Sequence, residues 1–139
     1  MPDPLTPAQR SAAMRAVQSA DTRPEITVRR LVHGLGYRYR LHDARLPGSP
    51  DLVLVCRRKV IFVHGCFWHR HDCRAGMSEP ATRQEYWRSK FARNVARDRR
   101  DRRALRAAGW RVLVVWECQT AASGRARLRR RLTRFLESA

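Results

Sequence analysis

The chain has 139 residues, room for one domain with one modest core, and its 43% apolar content is enough to fold that core. Thirty basic residues stand against twelve acidic ones, for a net charge of +18, and every basic residue except Lys59 and Lys90 is an arginine. A charge this large makes a compact state repel itself unless a polyanion is near, so nucleic acid is the first partner to consider; a membrane surface is the other attractor. No apolar run approaches the ~18 residues needed to cross a bilayer, and the opening MPDPLTPAQR lacks the apolar centre of a secretory signal, so a soluble cytoplasmic protein without membrane partners is expected.

In chain order, residues 8–20 read as a short helix with Met14 and Val17 one turn apart, an arm of about the first twenty residues on a single 1–139 domain. Asp21 or Thr22 can cap a second helix. Pro24 and Glu25 sit in its first turn, Val28, Leu31, Val32 and Leu35 follow at helical spacing, and Gly36 suits the stop. Three extended segments come next, Tyr37–Leu41, Asp51–Val55 and Lys59–Val63, with the loop LPGSP between the first two and a tight turn at Cys56–Arg58 between the others. A loop rich in His, Cys and aromatics runs to about Arg83. A long helix then spans roughly Gln84–Ala108, with Trp87, Phe91 and Val95 on one stripe and Lys90, Asn94, Asp98 and many arginines on another. RVLVVW, residues 111–116, is a continuous apolar run, read most simply as a central buried strand, and a basic helix closes the chain at Glu137. The pattern predicts an α/β layered domain with a mixed sheet.

The densest chemistry lies in HGCFWHRHDC, residues 64–73. With no export signal, the four cysteines point to metal ligation in preference to disulfides. Cys66, His71, Cys73 and Cys118 supply a Cys3His set suited to a structural zinc ion that would pin the long loop to the sheet; the plainer alternative is a reduced, metal-free loop. Cys56 reads as an ordinary free thiol. His64 and His69 are then left over, beside an acid. Ser49-Pro50-Asp51 puts a carboxylate at the head of an apolar strand, where it can hold a hard dication against a phosphodiester or merely cap the turn. Together with Glu25 this resembles the core of PD-(D/E)xK restriction-type nucleases, but the next strand carries Ile61, Phe62 and Val63 where such enzymes have an acid-x-lysine.

The stretches RSAAMRAVQSADTRPE (10–25), LPGSPDLVL (46–54), KVIFVHGCFWHRHDC (59–73), PATRQEYW (80–87), KFARNVARDRRD (90–101) and GWRVLVVWEC (109–118) closely resemble the very-short-patch mismatch-repair endonucleases, the Vsr family. The resemblance implies a divergent restriction-endonuclease-like core, a mixed sheet flanked by helices, with a structural zinc. It implies an Mg2+-dependent enzyme that nicks one strand of double-stranded DNA 5′ to the thymine of a T:G mispair left by deamination of 5-methylcytosine. On this reading Asp51 is the central Mg2+ ligand with the backbone carbonyl of Val63, which accounts for the missing second carboxylate. Glu25 and His64 orient metal-bound waters, His69 is the general base or water positioner, and Asp98 supports it. Zinc is held by Cys66, His71, Cys73 and Cys118.

The family also implies that Phe67, Trp68 and Trp87 wedge into the base stack, although Trp87 can equally be a core residue beside Phe91. Unstacking costs least at a mispair, so a wedge favours such sites. Met14 and Val17 would press into the minor groove, Lys90 and Asn94 would read base edges in the major groove, and the arginines would hold phosphates. A monomer, nucleoid-associated and with MutL-type repair factors as partners, is the family-level expectation. The competing readings are a restriction-type nuclease on matched duplex and a zinc-stabilised DNA-binding module without catalysis. The joint presence of Glu25, Asp51, His64 and His69 argues against the second, and the missing acid-x-lysine and tandem aromatics against the first.

Overall fold

The computed structural model describes residues 22–138. The expected arm at residues 1–20, with Met14 and Val17, lies outside the described residues. Helix α1 spans Arg23–Gly34. Thr22 is extended and its hydroxyl accepts from the Glu25 amide at 3.4 Å, while Pro24 occupies a first-turn position where no intrahelical N–H is needed. Val28 and Val32 are buried, and Gly36, in the left-handed region at φ 98°, turns the chain out of the helix.

The sheet has four strands in the order β1 (Arg40–Leu41), β2 (Leu52–Leu54), β3 (Lys59–His64), β4 (Arg111–Trp116). The first three pair antiparallel, with Leu41 opposite Leu52 and Leu52 opposite Ile61, and β4 runs parallel to β3 with Val63 opposite Val115. The sheet is therefore mixed, as the sequence predicts. Side chains alternate between two apolar layers. Leu52, Leu54, Ile61, Leu113 and Val115 face α1 and the C-terminal helix α4 (Arg125–Glu137) through Val28, Val32, Leu128, Leu132 and Leu136. Val53, Val60 and Phe62 form the other layer with Leu105 of the long helix α3 (Gln84–Ala107).

Two expectations are corrected here. RVLVVW is an edge strand: among the described residues β4 pairs only with β3, and Leu113 and Val115 are buried while Val112 and Val114 are only half-buried. An apolar run on both faces reports helices above and below, not strands on either side; the strands buried throughout or nearly so are the inner pair, β2 and β3. The extended segment at Tyr37–Leu41 pairs only over Arg40–Leu41. The loop after His64 also contains a helical turn, α2 (Arg74–Met77), that sequence spacing does not predict. It is seated by Gly76, where a Cβ would overlap the His71 backbone. The buried Lys59 ties the sheet to the end of α4: its Nζ donates to the carbonyls of Leu136 at 2.8 Å and Ser138 at 2.5 Å, satisfying acceptors that a helix C-terminus leaves open. Among the described residues no helix is long and apolar enough to cross a membrane.

Candidate active site

A cleft of about 950 Å³ opens where the N-terminus of α1, the head of β2, the end of β3 and the middle of α3 meet, and Glu25, Asp51, His64, His69 and Asp98 all line it. Each arrives by a different local rule. Glu25 sits in the first turn of α1 and is buried at 2% exposure. Asp51 follows the buried Pro50 and precedes β2, and antiparallel pairing brings the end of β3 beside it, so that the Val63 amide donates to Asp51 Oδ2 at 2.7 Å. His64 is the last residue of β3, and His69 lies five residues on, in the turn that folds back over the strand end.

The two imidazoles stack with centroids 3.9 Å apart and planes within 6°. Burial, reinforced by the neighbouring His69, pushes His64 down to about 3, so it is neutral at pH 7 and the stack does not bring two cations together. Its Nδ1 is buried without a hydrogen-bond partner among the described residues. His69 Nδ1 lies 2.6 Å from Asp98 Oδ2, on a helix 29 residues away in sequence. A carboxylate at that distance fixes the ring and leaves Nε2 as the working nitrogen, the arrangement used by a positioned general base.

Across the cleft, Glu25 accepts from Arg29 one helical turn on, and its Oε1 lies 2.8 Å from His42 Nε2. Asp51 is pushed up to about 8, first by burial and then by its contact with the Glu25 carboxyl. Two carboxyl groups forced together out of water share a proton, and a divalent cation is the natural replacement for it. The ligand atoms of Glu25, His42 and Asp51 all lie within 4.8 Å of one another, as do those of His64, His69 and Asp98. The first group, with two carboxylates and one imidazole, has donors that fit a divalent cation.

A third group gathers just behind the cleft. Cys66, His71, Cys73 and Cys118 place one ligand atom each within a 4.8 Å cluster. His71 Nδ1 stands 3.5 Å from Cys118 Sγ and 3.9 Å from Cys66 Sγ, near the ~3.8 Å edge of a tetrahedron with 2.3 Å metal–sulfur bonds. Trp116 stacks on the His71 ring at 4.3 Å, and Asp72 lies 3.4 Å from its Nε2, so the ring is held with Nδ1 toward the sulfurs. Burial pushes the Cys66 thiol up to about 12 and raises Cys118, whereas the Gly76 amide and His71 bring Cys73 down to about 7. The cluster can hold a metal ion, and its thiol-rich, four-donor chemistry suits a closed structural site. Cys56 is exposed on the turn after β2 and takes no part.

The comparisons with known proteins bear on this arrangement directly. The family profile described as DNA mismatch endonuclease Vsr matches residues 2–75, which carry Glu25, Asp51, His64, His69 and three of the four Cys/His cluster residues. The chain is 53% identical over 131 residues, 93% of its own length and 96% of the relative's, to the type II nicking enzyme V.XorIIP of Xanthomonas oryzae pv. oryzae. It is 49% identical over 128 residues, 92% of this chain and 80% of the relative, to the DNA mismatch endonuclease Vsr of Escherichia coli K12. It is 38% identical over 136 residues, 98% and 95% respectively, to the type II nicking enzyme V.NmeAIP of Neisseria meningitidis. The chain belongs to the Vsr family.

Most of the residues singled out in the sequence of this Vsr-family chain do converge. The aromatic residues converge too, but on one another. Phe67 packs against Trp68 at 4.9 Å, Phe91 at 5.1 Å and Trp87 at 6.3 Å, and Trp68 meets Trp87 at 5.8 Å. Phe91 is the buried floor, while Phe67, Trp68 and Trp87 remain half-buried above it. Trp87 therefore makes the Phe91 contact expected of a core residue, at 5.9 Å, and still reaches the surface. Lys90 Nζ lies over the Trp68 and Trp87 rings at 5.4 and 5.6 Å. Asn94 donates to the Trp68 carbonyl at 3.2 Å and accepts from Arg97 at 2.7 Å, so without DNA it braces the aromatic loop.

Sequence reading overlooked His42, which stands beside both Glu25 and Asp51. The signal was available: once Tyr37–Leu41 and Asp51–Val55 are taken as hairpin partners across LPGSP, position 42 falls opposite Asp51, and its amide indeed donates to the Asp51 carbonyl at 3.2 Å. Arg29, the partner of Glu25, follows from the i, i+4 rule and was likewise passed over.

Proposed function

We propose that this protein is an Mg2+-dependent DNA mismatch endonuclease that nicks the thymine-containing strand 5′ to a T:G mispair and so initiates very short patch repair. The observation that carries the reading is the single cleft shared by Glu25, Asp51, His64 and the His69–Asp98 pair in a chain of the Vsr family. The relatives' names, a mismatch endonuclease in one case and nicking enzymes in the others, agree with cleavage of one strand.

Asp51 and the Val63 carbonyl would hold the cation, which supplies charge neutralisation at the attacking and leaving oxygens of the phosphodiester. His69, held by Asp98, accepts the proton of the attacking water through Nε2. Glu25 and the neutral His64 orient water in the cleft. A structural zinc on Cys66, His71, Cys73 and Cys118 would tie the aromatic loop to the end of β4, giving Phe67, Trp68 and Trp87 a stiff base from which to wedge into the weakly stacked mispair. Lys90 and Asn94 read base edges once released from Trp68, and the surrounding arginines contact phosphates. Met14 and Val17 enter the minor groove from the arm. The fold proposed is a restriction-endonuclease-like core in one 1–139 domain, acting as a cytoplasmic, nucleoid-associated monomer with MutL-type factors among its partners.

The test is a nicking assay in Mg2+ on duplexes carrying one T:G mispair in varied flanks, beside matched T:A and C:G duplexes and the Asp51→Ala protein. A nick confined to the thymine strand and absent with Asp51→Ala is expected. Equal cleavage of matched duplexes would make this a restriction-type enzyme, and binding without cleavage in every flank would make it a binding module.

A further inference from the structure

The three-residue cluster of Glu25, His42 and Asp51 contains one group that the proposed mechanism does not use. His42 follows β1 and adopts the left-handed backbone region at φ 47°, as Ser49, Arg58, Arg70 and Arg83 also do, so the turn itself does not call for an imidazole. Its amide is spent on the Asp51 carbonyl, which locks the backbone. From there the imidazole reaches back into the cleft: Nε2 is 2.8 Å from Glu25 Oε1 and 3.9 Å from Asp51 Oδ1. The ring is not packed away, since 31% of the side chain is exposed. A turn requirement alone would be met more cheaply by Gly or Asn, and the Glu25 carboxylate already has a cationic partner in Arg29. Neither backbone nor charge balance therefore explains an imidazole at this place.

Donor geometry does. Neighbouring ligands around a cation with ~2.1 Å bonds stand ~3 Å apart, and the two distances from His42 Nε2 bracket that value, with all three ligand atoms inside 4.8 Å. We infer that His42 is a direct ligand of the catalytic cation, making the site a mixed imidazole–carboxylate one that favours Mn2+ and similar first-row dications over Mg2+. The chemistry is that of ligand softness: imidazole adds much to the binding of a transition-metal ion and little to that of Mg2+, which prefers oxygen and keeps its water. For Nε2 to offer its lone pair, its proton moves to Nδ1, and Glu25 Oε1 exchanges an imidazole N–H for the O–H of a water in the cleft. The inference rests on the reading of Asp51 as a cation ligand.

The experiment uses the full chain without DNA and the metals alone. Mn2+ binding is followed by electron paramagnetic resonance, nitrogen coupling to bound Mn2+ by its pulsed form, and Mg2+ binding by competition, in the wild-type, His42→Asn, His42→Gln, His64→Gln and Asp51→Asn proteins. A thermal melt of each checks that it is folded. The expected result is an imidazole nitrogen coupling that survives His64→Gln and is lost in both His42 variants, with Mn2+ affinity falling about tenfold or more in those variants and Mg2+ affinity falling only about two- to threefold. Retention of the nitrogen coupling in both His42 variants, or an equal loss of Mn2+ and Mg2+ affinity, would overturn the assignment of His42 while leaving Asp51 in place. Unchanged Mn2+ binding by Asp51→Asn, or no binding by the wild-type protein, would instead overturn the cation site itself.

Discussion

Cation binding in this protein is expected to expel a proton, and the amount follows from Asp51. Burial and the Glu25 carboxyl raise Asp51 from 3.8 to about 8, so at pH 7 only about a tenth of the molecules carry the ionised form. A dication needs the ionised form. Deprotonation at pH 7 therefore costs about 1.4 kcal/mol, and the apparent affinity for Mg2+ should rise about ninefold from pH 6 to 7, about fivefold from pH 7 to 8, and level off above that. Close to one proton should leave per cation bound at pH 7, falling toward none at pH 9. Isothermal titration of the DNA-free protein with MgCl2, in buffers of differing ionisation enthalpy at pH 6.5, 7.5 and 8.5, measures both quantities. The same shift has a stability consequence. A carboxyl whose folded pKa is raised contributes stability that is fully present below pH 3.8 and is lost as pH rises toward 8. Without cation the protein should thus lose stability between pH 5 and 8, and saturating Mg2+ should restore it. Fewer than about 0.2 protons released at pH 7, with affinity flat from pH 6.5 to 8.5, would show that the Asp51–Glu25 pair is already ionised in the free protein and that the desolvation argument is wrong.

Four further outcomes are expected. His64, pushed down to about 3, contributes stability that is present above pH 6.5 and lost as pH falls toward 3; wild-type protein should lose at most about 3 kcal/mol between pH 6.5 and 4 from this group, and parallel pH–melting curves for wild-type and His64→Gln would contradict it. Asp98→Asn should slow single-turnover nicking by about 100-fold, with duplex affinity unchanged in a gel-shift assay, because it weakens the 2.6 Å restraint on His69 without touching DNA contacts. Removing the metal from the Cys/His cluster with a strong chelator, or by Cys118→Ala, should lower the melting temperature and open residues 65–78 to protease, whereas Cys56→Ser should do neither, since Cys56 is exposed and remote. Leu132→Ala, at a fully buried position between α4 and the sheet, should cost about 2–5 kcal/mol in urea unfolding with little change in the denaturant slope.

Local chemistry made much of this legible in the sequence. The capped start of α1 at Thr22, the stop at Gly36, the long α3 and the bounds of β4 all follow from short-range rules, because caps, turns and periodicity act over one or two turns. The four members of the Cys/His cluster were readable because few other roles bring so many soft ligands into ten residues beside an apolar strand. Glu25, Asp51, His64 and His69 could be named as a set, but their mutual arrangement could not. That the Asp98 carboxylate lies 2.6 Å from His69 depends on how α3 crosses the sheet. That RVLVVW lies at the edge, with β3 in the middle, depends on strand order, which an apolar run does not encode. His42 enters the cleft only once β1 pairs with β2 and sets it opposite Asp51. The shifts at Asp51 and His64 arise from desolvation, a property of the surrounding packed atoms and not of either residue. Sequence therefore determined which groups are present and which local elements carry them. Tertiary structure alone decided which groups meet, since long-range pairing and burial are collective outcomes of the whole core.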